Sequence, residues 1–273
     1  VEDKIVLNNV SKKEITDEIV IEKQLMLERY IDVTKSQLFY AKSCLFIEGI
    51  SEELLISAFC QHQNFTLEDY RIELVNVGGT SFYPFLFLFN SSSDLKRLPK
   101  KVTILTDDDR FTDSKKPDYC FENLIKDDYS LLDILNNSIK TGSPSNRIAN
   151  LESARNKQTN IKIEKAYKTL EYELCRANIV ENKNENKERF LMKYLEVINK
   201  TNYDIIINYI DSLTNDILNE TEQEKISILL WKSLPSKANF AQDFSYHLIK
   251  NIEVAKTTFS IPVYILNGLN HLK

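Results

Sequence analysis

Short apolar runs alternate with amphipathic segments through the first half of the chain. Residues 44–47 are continuously apolar, and after a polar turn the apolar positions recur at helical spacing over 54–59. A short continuous apolar run is typical of a strand buried on both faces, and the spacing that follows is that of an amphipathic helix. We therefore predict a strand, a turn with Ser51 as the N-cap, and a helix.

The same change of period occurs again further along the chain. Residues 71–77 alternate like a strand, and Gly78 and Gly79 form a turn. The segment 81–89 then places Phe82, Phe85, Leu86 and Phe89 on one helical face. Residues 101–105 predict a third strand, and 160–163 predict a fourth. Strands that alternate with helices favour an α/β fold with a parallel sheet, whose functional loops follow the carboxyl ends of the strands.

The remaining pattern predicts three regions. Residues 1–41 form lead-in helices, 42–176 form the α/β core with a polar excursion around 111–158, and 177–273 form an additional helical region. The chain begins at Val1 rather than Met, and we expect it to be part of a longer protein. Long helical patterns lie within the last region, at 191–210, 217–230 and 240–252.

Composition and charge narrow the functional classes. Apolar residues make up 42% and charged residues 27% of the 273 residues, which is ordinary for a globular protein. The net charge of −5 lacks the basic balance expected of a protein that binds nucleic acid through its own cations. No apolar run approaches the length of a membrane span, and we expect a cytoplasmic protein without a signal peptide.

Two kinds of site are not encoded by recognisable motifs. The four cysteines are scattered without a C-x-x-C pair, and the three histidines form no ligand spacing with them, which disfavours zinc and disulfides. The five glycines form neither a G-x-G-x-x-G nor a G-x-x-x-x-G-K-[ST] pattern. We therefore expect no nucleotide to bind this chain by those routes.

Acidic residues follow the first and third predicted strands. Glu48 ends the first strand, Glu52 lies one helical turn later, and Asp107 and Asp109 follow the third strand. The carboxyl ends of parallel strands meet at one edge, so these carboxylates should converge. Clustered carboxylates repel unless a hard cation such as Mg²⁺ or Mn²⁺ neutralises them. The alternative is that 107–109 is only a solvated, aspartate-rich loop.

Three motifs in order resemble the successive signatures of a Toprim domain, in the version found in overcoming lysogenization defect (OLD) family endonucleases. They are Phe46-Ile47-Glu48-Gly49-Ile50-Ser51-Glu52, then Val75-Asn76-Val77-Gly78-Gly79-Thr80-Ser81-Phe82, and then Leu105-Thr106-Asp107-Asp108-Asp109. The flanking segments 29–39, 169–174 and 236–241 also resemble that family, so the similarity runs from about residue 25 to residue 245.

The resemblance implies a two-metal DNA endonuclease that uses Mg²⁺ or Mn²⁺. Asp108 would be a spacer between the two aspartates, and Gly78-Gly79 would allow a sharp turn or, alternatively, contact a phosphate directly. The implied metal ligands are Glu48, Glu52, Asp107, Asp109 and Glu171. The implied catalytic residues are Glu48, Asp107, Asp109 and Lys237.

The family also implies partners. OLD proteins carry an ABC-type ATPase ahead of the Toprim domain, so this chain would correspond to their C-terminal part, with DNA as its substrate. A homo-oligomer, a helicase-like partner and a role in phage defence are further implications of the resemblance. Two alternatives remain open: a non-catalytic Toprim module for DNA binding or assembly, and a primase-like or topoisomerase-like Toprim enzyme.

Overall fold

Four parallel strands form the centre of the molecule. The computed structural model describes residues 36–110 and 118–273, with four single positions before them (21, 22, 25 and 28). The strands lie in the order β2-β1-β3-β4, and every neighbouring pair is parallel. Their bounds are β1 Ser43–Ile47, β2 Ile72–Asn76, β3 Lys101–Asp107 and β4 Ile161–Ala166.

Helices flank this sheet, which confirms the predicted α/β class. The first helices along the chain are α1 Ile50–His62, α2 Tyr83–Leu86, α3 Phe121–Leu124, α4 Ser130–Thr141, α5 Asn146–Ala154 and α6 Leu170–Ala177. The later ones are α7 Phe190–Ile198, α8 Lys200–Ser212, α9 Glu220–Ser233, α10 Lys237–Lys250, α11 Ile252–Thr258 and α12 Val263–Leu272. No helix of the described residues is long and apolar enough to cross a membrane.

Each face of the sheet carries its own apolar cluster. Successive side chains of a strand point to opposite faces, so Leu45 and Ile47 of β1 join one cluster while Cys44 and Phe46 join the other. The larger cluster includes buried side chains from the helices after α6. The smaller cluster contains the buried phenylalanines of the 82–89 segment. Burial on both faces explains why the central strands β1 and β3 appear as largely apolar runs, whereas the edge strands β2 and β4 are only partly buried.

Several element boundaries differ from the predicted ones. Helix α1 begins at Ile50 with Gly49 at its N-cap, so the prediction of Ser51 as the cap is wrong, and Ser51 is instead buried in the first turn. The pattern over 191–210 is broken at Asn199, whose side chain accepts a hydrogen bond from the Asn202 amide and starts a new helix. A capping side chain ends the continuity that periodicity alone suggests.

The three predicted regions correspond only in part to the described structure. Most of the lead-in segment 1–41 lies outside the described residues, apart from a short 3-10 helix at Ser36–Phe39. The polar stretch 111–158 contains α4 and α5, and both bury apolar side chains against the core. Helix α6 spans residue 176, and the larger apolar cluster includes residues before and after that position.

Candidate active site

The acidic edge lies where β1 and β3 end side by side. The strand register places Phe46 opposite Ile104, so two residues later Glu48 comes beside Thr106. Oε1 of Glu48 accepts hydrogen bonds from the Thr106 hydroxyl and from the Asp107 amide, the latter at 3.0 Å. The predicted convergence of the first and third strand ends is therefore present in the fold.

Asp107 lies at the centre of this edge and is buried. Its Oδ1 accepts a hydrogen bond from the Leu170 amide at 3.0 Å, at the start of α6, and its Oδ2 lies 3.6 Å from the Lys237 Nζ. Burial, reinforced by the charge of Glu48, raises the pKa of Asp107 well above its usual value, while Lys237 acts in the opposite direction. This carboxylate is therefore costly to ionise without a nearby cation.

Glu171 approaches the same centre from α6. It is buried, and its Oε2 lies 3.5 Å from the Lys237 Nζ but accepts no hydrogen bond from the described residues. Helix α6 begins with Thr169 as its N-cap, whose hydroxyl accepts from the Tyr172 amide, and this cap fixes where Glu171 enters the site. A buried carboxylate oxygen with an unused lone pair is suited to coordinate a cation.

Lys237 is brought to the site by the C-terminal helices. It is the first residue of α10, which packs along α1, the helix that carries Glu52. Partial burial lowers the Lys237 pKa, but the charges of Glu171 and Asp107 outweigh burial and raise it. The side chain therefore stays an ammonium group while more than half of it faces solvent, where a phosphate can approach.

Glu52 completes the cluster one turn into α1. Burial raises its pKa to about 7, and the neighbouring charges of Glu48 and Glu171 act in the same direction. The adjacent Glu53 is turned away, and its Oε2 accepts a hydrogen bond from Asn76 at 2.8 Å. The helix thus separates a carboxylate that faces the site from one that does not.

The three consecutive aspartates of the third motif have different environments. Asp107 is buried in the centre, and Asp109 lies at the rim with about half of its side chain exposed. Asp108 is fully buried and ion-paired with Arg110 at 3.0 Å and Lys165 at 2.8 Å. The prediction of Asp108 as a spacer between the other two aspartates did not include this structural role, and burial of Asp107 and Asp108 excludes a simple solvated loop.

The hydrogen bonds of Asp108 hold neighbouring segments against the site. Besides its two ion pairs, its Oδ1 accepts from the Ser145 amide, at the N-cap of α5. Hydrogen bonds donated by Lys165, Ser145 and Arg110 outweigh the effect of burial and lower the Asp108 pKa.

The backbone of Arg110 also lies close to Gly142. A Cβ at Gly142 would lie 1.9 Å from the Arg110 carbonyl oxygen, so only glycine permits this close approach.

The pair Gly78-Gly79 forms the turn after β2. Their φ angles are +66° and +144°, which glycine adopts without steric cost. The Gly79 amide donates to the Glu48 carbonyl at 2.7 Å, and the Gly78 amide donates to the Asn76 side chain. These contacts support the structural interpretation of the pair and tie the turn to the acidic edge.

Sequence reasoning missed one cation of the site, Arg147. Its guanidinium comes from α5 and lies 3.2 Å from Asp109 Oδ2 and 3.5 Å from Glu48 Oε1. Arg147 lies in the polar stretch after the third motif, and nothing in the local sequence distinguishes it from a surface arginine. Only the packing of α5 brings it to the strand ends.

The donor set at this edge fits a hard divalent cation. Carboxylate oxygens are what Mg²⁺ and Mn²⁺ prefer, and the unused Oε2 of Glu171 is an available donor. Among the described residues, no three acidic, histidine or cysteine side chains already form a metal cage. Lys237 and Arg147 instead lie between the carboxylates, so a metal would replace part of the neutralisation that these two cations provide.

Four other side chains that could carry chemistry or bind DNA have structural roles instead. Tyr172 and Trp231 pack together with ring centroids 5.4 Å apart, and burial raises the pKa of Tyr172, which disfavours it as a nucleophile. Cys175 is buried, and its thiol pKa is raised well above the usual value. The ammonium of Lys100 donates to the carbonyls of residues 38, 39 and 41, where it holds the chain before β1.

The parallel sheet with an acidic carboxyl edge is the arrangement that the Toprim-like motifs of the sequence predict. Residues 39–109 match the family model described as "Overcoming lysogenization defect protein-like, TOPRIM domain". This segment of the chain is therefore similar to the Toprim domain of OLD-like proteins. The match contains β1, β2, β3 and the acidic residues at both strand ends. Toprim domains generally bind divalent metal ions.

Two solved structures are similar over most of the chain. The C-terminal region of the Burkholderia pseudomallei OLD protein is 20% identical, with 85% of this chain and 97% of that chain covered and a TM-score of 0.42. The C-terminal region of the Xanthomonas campestris pv. campestris OLD protein is 19% identical, with 86% and 94% covered and a TM-score of 0.40. No curated protein sequence matches the chain.

Proposed function

We propose that this chain is the nuclease part of an OLD-like protein and cleaves DNA phosphodiester bonds with divalent metal ions. The observation that carries the proposal is the convergence of Asp107, Glu171 and Lys237 at one sheet edge, with Glu48 hydrogen-bonded to the Asp107 amide. The OLD-like Toprim match over 39–109 supports it, because that match contains the first and third acidic motifs.

The metal ions would be bound by the carboxylates that the sequence motifs imply as ligands. When bound, divalent ions would lower the pKa of an attacking water and stabilise charge on the leaving oxygen. Asp107 is oriented for this role because the Leu170 amide fixes one of its oxygens and leaves the other facing the cluster. The proposed ligands are Glu48, Glu52, Asp107, Asp109 and Glu171.

Lys237 would stabilise the charge that develops on the phosphate during cleavage. Its ammonium is anchored at the start of α10 and is held between two carboxylates while remaining open to solvent. A fixed cation aimed at developing negative charge is a strong source of rate enhancement. The cations at the site would also help an acidic protein accept a polyanionic substrate.

The proposal is tested by cleavage of supercoiled plasmid in Mg²⁺ or Mn²⁺, together with calorimetric titration of the metal. Asp107→Asn should abolish cleavage and weaken metal uptake, because it removes the central carboxylate charge. Asp243→Asn is the matched control, since Asp243 is exposed on α10 and lies outside the cluster. Equal metal uptake and cleavage by the Asp107 variant would refute the assignment.

A second candidate is a Toprim module that binds DNA or assists assembly without cutting. It is favoured by the two cations that already neutralise the carboxylates among the described residues. This candidate predicts DNA binding with no cleavage in any divalent metal. The plasmid assay combined with a DNA-binding titration therefore separates the two functions.

The proposal extends to the parent protein by similarity to the OLD family. There, an ATPase domain would precede this chain, and the whole protein would act in phage defence in the cytoplasm, with a helicase-like partner. Co-expression of the parent reading frame with its neighbouring genes, followed by phage challenge, tests this extension. Protection that survives loss of the Asp107 charge would separate the defence role from nuclease activity.

A further inference from the structure

Arg147 contacts a different part of the acidic edge from Lys237. Its Nη2 is 3.2 Å from Asp109 Oδ2 and 3.5 Å from Glu48 Oε1, and it also donates to the main-chain oxygen of Asp107. Lys237 contacts Asp107 and Glu171 instead. Each cation therefore neutralises a different pair of the carboxylates proposed as metal ligands.

The position of Arg147 is built into the fold. Asp108 accepts a hydrogen bond from the Ser145 amide and so anchors the start of α5, two residues before Arg147. The chain leading into α5 packs against Arg110 at Gly142, where no side chain fits. As a result, only 20% of the Arg147 side chain is exposed. This is a held guanidinium rather than a freely moving surface arginine.

The guanidinium is nevertheless incompletely satisfied. A guanidinium has five N–H donors, but the contacts of Arg147 in the described structure pass through Nη2. Its Nε is buried and has no acceptor among the described residues. A buried donor without a partner carries a free-energy cost, which makes the present position easier to give up when a competing cation arrives.

We infer that Arg147 is an internal counter-cation that competes with a divalent metal ion for the Glu48–Asp109 half of the site. In the metal-free protein it screens two carboxylates that would otherwise repel each other. Metal binding to that half displaces the guanidinium, so Arg147 lowers the affinity of the site for the metal ion. This inference rests on the proposed function, because it requires those carboxylates to be metal ligands.

The test is calorimetric titration of the purified chain with Mg²⁺ or Mn²⁺ alone, without DNA. Arg147→Met removes the charge but keeps the apolar stem, and it should bind the metal about tenfold more tightly, as expected when a partly buried competing ion pair is lost. Arg147→Lys keeps a competing charge and should stay near the wild-type affinity. Arg155→Met is the matched control, because Arg155 follows the same helix and pairs with Glu152.

A second measurement uses the wild-type chain and does not depend on a variant folding. Phenylglyoxal modifies accessible arginine side chains, and peptide mass spectrometry reports the rate at Arg147. Addition of Mg²⁺ should accelerate modification there, because the displaced guanidinium becomes accessible. An unchanged or slower reaction at metal saturation would overturn the competition.

The outcomes separate the two levels of the proposal. Metal uptake by the wild type with equal or weaker affinity in Arg147→Met overturns this inference and leaves the metal site intact. Failure of both proteins to take up metal overturns the proposed metal chemistry and this inference with it. Tighter binding by Arg147→Met, with wild-type affinity in Arg155→Met, supports both.

Discussion

The Nζ atom of Lys237 lies 3.6 Å from Oδ2 of Asp107, although the two residues belong to separate regions of the sequence. Asp107 ends the third strand, whereas Lys237 begins a helix near the C-terminus. Packing of α10 along α1 makes this contact possible. The C-terminal helices are therefore part of the candidate site rather than a separate appendage.

Replacement of that lysine tests whether it acts in catalysis. Lys237→Ala should lower the cleavage rate by a factor of about 10²–10³, the size typical of losing one electrostatic stabiliser. It should not weaken metal binding, because it removes a cation and not a ligand. Lys250→Ala, at the other end of α10, is the control. Wild-type cleavage by Lys237→Ala would leave the residue with only a structural role at the start of the helix.

Glu48 should respond differently because it is a proposed ligand. Glu48→Gln keeps an oxygen that can accept from Thr106 and from the Asp107 amide, so the fold should be retained. Loss of the negative charge should weaken Mg²⁺ binding by at least about tenfold and lower cleavage in parallel. Glu53→Gln is the control, since that side chain binds Asn76. Unchanged metal binding in Glu48→Gln would remove it from the ligand set.

Asp108 should affect stability rather than metal binding. It is buried between Arg110 and Lys165, and removal of its charge leaves two cations without their partner. Asp108→Asn should lower the free energy of unfolding by about 2 kcal/mol, because an uncompensated, partly buried charge remains. Urea denaturation measures this change. Asp94→Asn is the control, since Asp94 is an exposed partner of Arg97, and an equal effect of both variants would contradict the structural role of Asp108.

The sheet and its acidic edge were predictable from local sequence. Continuous apolar runs mark strands buried on both faces, and an acidic residue directly after such a run lies at the strand end wherever the sheet forms. The placement of Glu48 and Asp107 therefore follows from short-range pattern. The position of Lys237 does not, and it was suggested only by the resemblance of 236–241 to a family motif.

The features that sequence reasoning missed depend on tertiary packing. Asp108 looks like part of a solvated turn, because its partners Arg110 and Lys165 reach it from a following loop and from β4. Arg147 carries no local signal, since its contact with Asp109 exists only when α5 packs at the strand ends. Ion pairs between distant segments leave no periodicity in the sequence.

The cysteines provide a test of the core. Burial raises the thiol pKa of Cys44 and of Cys60 to about 12, and it raises that of Cys175 well above the usual value, whereas Cys120 is only partly buried. A thiol-specific disulfide reagent at about pH 8 should rapidly modify Cys120 alone in the native protein. Cys120→Ser should abolish the rapid phase. Rapid modification of any other cysteine would contradict the packing on the sheet.

The acidic cluster predicts an unusual pH dependence of stability in the metal-free protein. Burial raises the Glu52 pKa from 4.5 to about 7, so the folded state binds a proton more tightly than the unfolded chain does. A raised carboxyl pKa means that stability is gained as the pH falls through the folded value toward the unfolded one. Asp107 shifts in the same direction.

The free energy of unfolding, measured by urea denaturation with a chelator present, should therefore rise by on the order of 2 kcal/mol between about pH 8 and pH 5. Glu52→Gln should remove much of this rise, because its neutral amide cannot take up the proton, while Glu53→Gln should retain it. Saturating Mg²⁺ should flatten or reverse the dependence, since a bound cation stabilises the ionised carboxylates. Two results would contradict this prediction. One is a metal-free protein whose stability falls steadily from about pH 8 to pH 5, and the other is a Glu52→Gln variant with the wild-type pH profile. Either would show that ionisation of Glu52 does not destabilise the fold.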